Sequence, residues 1–282
     1  MADPDAGERL TAALEALKDA GAHSLSLRET HALAREHGCA VRLVEERALC
    51  VGLPPERYAR NLGTTGLDGQ ARLLRACVAV VGCGGLGGWI IEVLARMGIG
   101  RLVLIDSDRF EVSNLNRQAG CLEGNLGRPK AECLAERVRA VNGAVEPVAH
   151  VARLTEANAA TLLGGVEVVV DALDTLPDRL ALARAAAALG VPLVHGAIGG
   201  YTGQVMTILP GDPGLEGLYG GAGWPARGVE VELGNPAATP MMVAAWQAQE
   251  VIKLLLGKGD ILRNRLLVLD AEYGEVTEIH IT

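Results

Sequence analysis

Leu10, Leu14 and Leu17 recur at helical spacing and stop at Gly21, which predicts a first helix over residues 8–20. Ser26 and Glu29 then form an S-x-x-E capping box, the signature of a second helix that ends at Gly38. Val41, Leu43, Leu49 and Val51 alternate with polar positions around Glu45-Glu46-Arg47, a pattern that predicts a short β-hairpin closed off by Pro54-Pro55. Residues 1–55 therefore read as a small helix-helix-hairpin appendage of α/β character. A helix pair followed by a hairpin also fits a winged helix. Six Lys or Arg against nine Asp or Glu over residues 1–55 favour docking or dimerisation over DNA binding.

From Cys77 the pattern becomes strand and helix in alternation. Strands fall at 77–81, 101–105, 145–151, 166–171 and 192–195, and helices at 85–98, 128–141, 155–163 and 178–189. Near-continuous Val, Leu and Ile runs in such an alternation predict a Rossmann-like, mostly parallel sheet with helices on both faces. Further strands at 204–209, 265–270 and 275–281, with a long apolar helix at 240–256, predict an antiparallel extension of that sheet. The fold class is α/β, with residues 56–282 as the main domain. Residues 210–240 are rich in Gly and Pro and longer than most passive connections, which suggests a flap over the site.

Composition narrows the function classes. Apolar residues make up 49% of the 282 positions and aromatic residues only 3%, so the core is built of aliphatic side chains. A net charge of -8 without clustered Lys or Arg argues against nucleic acid as a partner. No signal-peptide core and no run of about 18 apolar residues is present, so a cytoplasmic protein with no membrane partner is expected. The six cysteines include no C-x-x-C pair, and neither a disulfide framework nor a zinc knuckle is indicated. Cys77 and Cys83 flank an apolar strand and read as small buried hydrophobes.

The densest chemistry follows the first strand. Gly82, Gly84, Gly85 and Gly87 make a G-x-G-x-x-G loop between a strand and a helix, where backbone N–H groups and the helix dipole can hold a phosphate. Asp106 closes the next strand, where a carboxylate can accept the ribose hydroxyls. The loop alone fits a nicotinamide-dependent oxidoreductase. The polar set that follows, Asp106, Asp108, Ser113, Asn114, Asn116 and Arg117, suits a triphosphate, whose charge needs Asn and Arg donors. Lys130 adds a cation at the start of a helix, behind Pro129. At the end of the fourth strand, Asp171 and Asp174 flank Ala172-Leu173, with Thr175 next; one of the two carboxylates suits Mg²⁺ held together with phosphates, and Asp174, further beyond the strand end, is favoured over Asp171, which can instead cap the neighbouring turn.

These motifs, in this order, resemble the ThiF/MoeB/HesA family, relatives of the ubiquitin-activating enzymes. The likeness runs from Arg57 to the C-terminus, through Arg57-Tyr58-Ala59-Arg60, the glycine loop, Ser113-Asn114-Leu115-Asn116-Arg117-Gln118, Gly127-Arg128-Pro129-Lys130 and Asp171-Ala172-Leu173-Asp174-Thr175. It implies ATP-dependent adenylation of the C-terminal glycine carboxylate of a small ubiquitin-like sulfur-carrier protein ending in Gly-Gly, with release of pyrophosphate. It further implies that Asp106 binds ribose, that Asn114, Arg117 and Lys130 bind phosphates, and that Asp174 holds Mg²⁺. Arg60 is implied to reach into the partner subunit's site, so a homodimer is expected, with Arg117, Lys130, Asp174 and Arg60 as the catalytic set.

The sequence departs from the family in three ways. Gly203-Gln204-Val205 is present, but Pro213 to Tyr219 carry no cysteine, so the structural zinc of many members is not expected. No cysteine follows Cys133 to form a covalent link to a carrier, and Cys121 reads as an inert thiol in a mobile segment. Thr175 stands where relatives usually have Asn. Two other functions stay open: adenylation of a different carboxylate, on a peptide or a tRNA-attached amino acid, and a non-catalytic nucleotide-binding scaffold. The intact Arg60, Arg117, Lys130 and Asp174 speak against the scaffold.

Overall fold

The computed structural model describes residues 4–219, 228 and 230–281. It opens with three helices, α1 (Pro4–Asp19), α2 (Leu27–Glu36) and α3 (Val41–Cys50). The capping box at α2 forms: the Ser26 N–H donates to Glu29 Oε2 at 2.9 Å, and the Glu29 N–H donates to Ser26 Oγ at 3.3 Å. The hairpin expected over residues 41–51 is instead the helix α3. Val44, Ala48 and Leu49 are all buried at helical spacing, Val44 and Ala48 packed with Leu10, Leu14 and Leu25, and Leu49 with Tyr58 and Leu74. The outer alternation misled because Glu45, part of the charged segment around which that hairpin would turn, is fully buried on the inner face of that helix. The N-terminal unit is thus all helical rather than α/β, and no wing is present among its described residues.

Burying Glu45 needs a counter-charge, and Arg57 supplies it with Nε at 2.9 Å. Arg57 also donates to Asn142 Oδ1, while Asn142 Nδ2 donates to the Tyr58 hydroxyl and to the Ala95 carbonyl, both at 3.0 Å. Burial pushes the Glu45 carboxyl above its ordinary range, against Arg57 and Tyr58, which lower it. The Tyr58 ring lies 2.7 Å from where a β-carbon on Gly98 would stand, so only glycine, at φ +79°, lets it seat. Arg57 and Tyr58 therefore staple the helical unit to the sheet domain.

That domain begins with α4 (Leu62–Arg75) and continues as β1 (Cys77–Val81), α5 (Gly85–Met97), β2 (Arg101–Ile105), α6 (Lys130–Val141) and β3 (Glu146–His150). Next come α7 (Glu156–Leu162), β4 (Val168–Asp171), α8 (Leu176–Leu189), β5 (Leu193–Gly199) and β6 (Thr202–Ile208). After α9 (Gly214–Tyr219), α10 (Glu230–Leu233) and α11 (Ala238–Leu256), the antiparallel pair β7 (Arg265–Asp270) and β8 (Glu275–His280) follows. One 8-stranded sheet forms in the order β3-β2-β1-β4-β5-β6-β7-β8. Pairs from β3 to β5 are parallel, and pairs from β5 to β8 are antiparallel. The predicted mostly parallel sheet with an antiparallel extension is what the chain builds.

Ile90 and Leu94 of α5, Leu134 and Val138 of α6, and Val243 and Val251 of α11 cover one face of the sheet. Ala159 of α7 and Leu182 of α8 cover the other. The helix α4 had no clear sequence signal: three glycines lower its propensity, and packing of the buried Gln70, Leu73 and Leu74 sustains it. The expected flap over 210–240 contains α9 and α10, and its middle, 220–227 and 229, lies outside the described residues.

Arg57→Ala leaves the Glu45 carboxylate buried without its counter-charge and is expected to cost about 3–5 kcal/mol in urea unfolding at neutral pH. The folded protein then binds the Glu45 proton more tightly than the unfolded chain does. The deficit is therefore full above the raised folded pKa and shrinks as pH falls towards the ordinary carboxylate range. A deficit that is constant from pH 7 to about 5 would contradict this.

Candidate functional site

The strand order reverses between β1 and β4, and the helices that follow them leave on opposite faces. Such a switch point leaves a crevice at the carboxyl ends of the strands, where ligands of open α/β sheets bind. Here Val81 pairs with Asp171, and the Ala172 N–H donates to the Val81 carbonyl at 2.9 Å. A cleft of about 400 Å³ opens above this junction.

The glycines divide into two roles. A β-carbon on Gly82, at φ +95°, would lie 2.4 Å from the Ala172 carbonyl oxygen, and one on Gly87 only 1.8 Å from the Gly82 carbonyl oxygen. These two let the loop pack between β4 and α5. Gly84 and Gly85 face the cleft, and β-carbons there would meet only the side chains of Gln118 at 3.5 Å and Arg117 at 3.7 Å. No side chain caps the amino end of α5, so its first N–H groups offer donors and the positive end of the helix dipole.

Asp106 ties the first two strand ends together. Its Oδ2 accepts the Cys83 N–H at 2.6 Å and its Oδ1 the Asp108 N–H at 2.7 Å. Burial pushes this carboxyl up, and those two backbone donors pull it back. Each oxygen keeps a further lone pair for a ligand hydroxyl. Lys130, buried at the start of α6, places Nζ 3.1 Å from Asp108 Oδ2, so both line the cleft as a pair.

Arg117 reaches the cleft from the segment after β2, with one guanidinium nitrogen donating to the Ser113 carbonyl at 3.0 Å and to Asn116 Oδ1 at 2.8 Å. Asn116 Nδ2 in turn donates to the Asn235 carbonyl at 3.1 Å. Ser113 and Asn116 do not line the cleft; they hold Arg117 there. Asn114 is buried, its Oδ1 accepting the Glu111 N–H at 3.1 Å and its Nδ2 pointing to Ser113 Oγ at 3.4 Å. Gly87 lies beneath the loop, and Arg60 is exposed outside the lining.

The structure separates the two aspartates that the sequence left close. Asp171 is fully buried, its Oδ2 2.7 Å from His195 Nδ1 and its Oδ1 accepting the Leu173 N–H at 3.0 Å. Asp174 is exposed on the wall of the cleft. Thr175 Oγ donates to Asp178 Oδ2 at 2.6 Å, and Asp178 Oδ1 accepts from Arg153 at 2.6 Å. Sequence reasoning missed Arg153, Asp178, Arg179, Glu230 and Asn235, all of which line the cleft. Arg153 lies just past the carboxyl end of β3 and Arg179 in the first turn of α8 after β4; a charge past the end of a parallel strand is the signal that could have found Arg153. Cys121, expected in a mobile segment, is buried beside Phe110 and Cys133, where burial raises its thiol pKa. An inert thiol fits that place.

A second, mostly apolar cleft of about 310 Å³ adjoins the first and shares Asp174, Arg179, Ile198 and Glu230 with it. It runs over the β5–β6 turn, with Thr202, Gln204 and Tyr219 in its lining. The site as a whole is that of a nucleotide-binding α/β protein whose phosphate loop opens onto a second, less polar channel.

Comparison with known proteins names the family. The model described as "ThiF family" matches residues 58–282, and the chain belongs to that family. It is 41% identical over 221 residues to the "SAMP-activating enzyme E1" of Haloferax volcanii, covering 77% of this chain and 81% of that one. Identity to the "Sulfur carrier protein adenylyltransferase" of Thermus thermophilus is 39%, covering 77% and 83%. The "Adenylyltransferase and sulfurtransferase MOCS3" of Mus musculus is 36% identical, and the match spans 80% of this chain but only 50% of that relative. Among solved structures, "Crystal structure of E. coli MccB + MccA-N7isoASN" superposes with a TM-score of 0.71 at 20% identity, covering 80% of this chain and 72% of that one, a likeness of fold.

Gly87→Ala is expected to lose several kcal/mol of stability in thermal or urea unfolding, because its β-carbon would overlap the Gly82 carbonyl. Gly85→Ala, which meets only the Arg117 side chain, is expected to stay within about 0.5 kcal/mol of the parent. Equal losses in the two variants would contradict the division of roles.

Proposed function

We propose that this chain adenylates the C-terminal glycine carboxylate of a small ubiquitin-like sulfur-carrier protein ending in Gly-Gly, using ATP and releasing pyrophosphate. The observation that carries this reading is the meeting of the two clefts at Asp174 and Arg179. One cleft has the donors and cations for a nucleoside triphosphate, and the other admits a slender, weakly polar chain end. The names of the Haloferax and Thermus relatives support the same activity.

In this scheme ATP lies with its ribose on Asp106 and its phosphates over Gly84, Gly85 and the amino end of α5. The carrier's tail occupies the second cleft and brings a carboxylate oxygen to the α-phosphorus. A bond forms between them, the bond from the α-phosphorus to the bridging oxygen breaks, and pyrophosphate leaves with the electron pair. No general base is required, because the attacking carboxylate is already ionised. The barrier is charge repulsion, and Arg117 and Lys130 lower it by placing cations where negative charge accumulates.

Asp174 has the chemistry to hold Mg²⁺: an exposed, hard carboxylate oxygen donor on the cleft wall, while Asp171 is closed off by His195. Bound there, Mg²⁺ would screen the phosphate charge. Arg60, outside its own chain's cleft, would complete the partner subunit's site in a homodimer. The protein's place in this reading is the cytoplasm, in cofactor biosynthesis such as that of molybdopterin or thiamine; among the described residues no helix is long and apolar enough to cross a membrane.

The test is ATP–pyrophosphate exchange with purified carriers. Exchange is expected only with a carrier ending in Gly-Gly, falling roughly 100- to 1,000-fold in Arg117→Ala, with Asp174→Asn similarly impaired. Exchange absent with every carrier, or untouched by Arg117→Ala, would sink the proposal.

A further inference from the structure

Behind the second cleft lies a buried polar chain that the adenylation scheme does not use. Asp171 and His195 are both fully buried, on the adjacent strands β4 and β5, and stand directly opposite one another in register. Asp171 Oδ2 lies 2.7 Å from His195 Nδ1. His195 Nε2 lies 3.3 Å from Gln204 Nε2, on the neighbouring strand β6. The same Gln204 nitrogen donates to the Tyr219 hydroxyl. From α11, Gln247 Nε2 donates to the Asp171 carbonyl at 2.8 Å and clamps the strands from behind.

The chemistry of each member dictates the next. An ionised carboxylate only accepts, so His195 Nδ1 must carry the proton that bonds Asp171. The neutral ring then has only a lone pair at Nε2, so the Gln204 atom facing it must be the NH₂ group. Burial in the sheet keeps the ring neutral, lowering its pKa against the pull of Asp171. Both N–H groups of the Gln204 amide are thereby committed, one to His195 and one to Tyr219. What remains is the carbonyl oxygen Oε1, which has no hydrogen-bond partner among the described residues and belongs to a side chain that lines the second cleft.

We propose that Asp171, His195 and Gln204 form a fixed hydrogen-bonded chain that presents the Gln204 carbonyl oxygen to the second cleft, where it accepts a backbone N–H of the carrier's extended tail. The inference rests on the adenylation reading above and deepens it. In a mostly apolar channel, an uncharged acceptor held in a fixed orientation favours a peptide chain over a simple carboxylic acid, because only the peptide brings an N–H to pair with it. Asp171 and His195 are positioning residues, and Gln204 is the one that touches the tail. A carboxylate at position 204 could not replace the amide, since it has no N–H for His195 Nε2.

The experiment uses the full-length chain, ATP and a Gly-Gly carrier prepared by peptide ligation, with each of the last three backbone N–H groups methylated in turn. For the parent, one methylation is expected to lower kcat/KM for the carrier roughly tenfold. Gln204→Leu is expected to raise KM for the unmethylated carrier by about the same factor, to leave KM for ATP within about twofold, and to be indifferent to that methylation. His195→Leu, checked for folding by its melting curve, should reproduce the Gln204→Leu profile. A carrier KM unchanged in Gln204→Leu, or an equal methylation penalty in parent and variant, overturns the proposal while adenylation stands. Absence of exchange in the parent overturns the adenylation reading itself.

Discussion

At the junction of β1 and β4, backbone meets backbone so closely that a β-carbon at Gly82 would lie 2.4 Å from the Ala172 carbonyl oxygen, and one at Gly87 closer still to Gly82. This contact lets α5 start directly from the end of β1 with its first N–H groups aimed into the cleft. It also places the chain leaving β4, with Asp174 and Arg179, against the phosphate loop. The first cleft opens from that junction and meets the second at Asp174 and Arg179, so the site is a product of sheet topology before any side chain acts.

Around the junction, charged groups are held by neighbours rather than left to find their ligand. Lys130 is tethered to Asp108, Arg117 to Asn116 and the Ser113 carbonyl, and Arg153 to Asp178. Cations restrained in this way need little reorganisation when negative charge builds on a phosphate, which is where electrostatic catalysis draws most of its effect. Below them Asp171 and His195 are shut away from water, so the exposed carboxylate is Asp174 by exclusion. Two aspartates three positions apart thus have opposite tasks, one orienting a buried ring and the other facing the solvent-filled cleft.

The helical unit at the N-terminus is coupled to this machinery by Arg57 and Tyr58, two residues of a motif whose last arginine, Arg60, stands exposed. Arg57 neutralises the buried Glu45, and Tyr58 fills the space left by Gly98 at the end of α5. The helix that delivers dipole and donors to the phosphate loop is therefore braced at its far end by the staple that seats the appendage.

The alternation of strands and helices from Cys77 onward was legible in the sequence because parallel strands buried on both faces must be runs of aliphatic residues, and Gly82 and Gly87 because no other residue survives their backbone contacts. Gly82, Gly84, Gly85, Asp106, Asp108, Arg117, Lys130, Asp174 and Thr175 were legible as a group for a related reason: chemistry collects at strand ends, and all line the cleft. Helix α3 was not legible, since its identity depends on Glu45 being inside, and a buried glutamate is intelligible only once Arg57, distant in sequence, is seen beside it. Nor were the burial of Asp171 against His195, the retreat of Asn114 into its own turn, or the Asp171–His195–Gln204 chain. From Cys77 onward, local pattern determined which residues form elements and at which strand ends the cleft opens. Which polar atom faces water, which faces a partner and which is left over for a ligand was decided only by tertiary packing, because hydrogen-bond satisfaction is a property of neighbours in space and not in sequence.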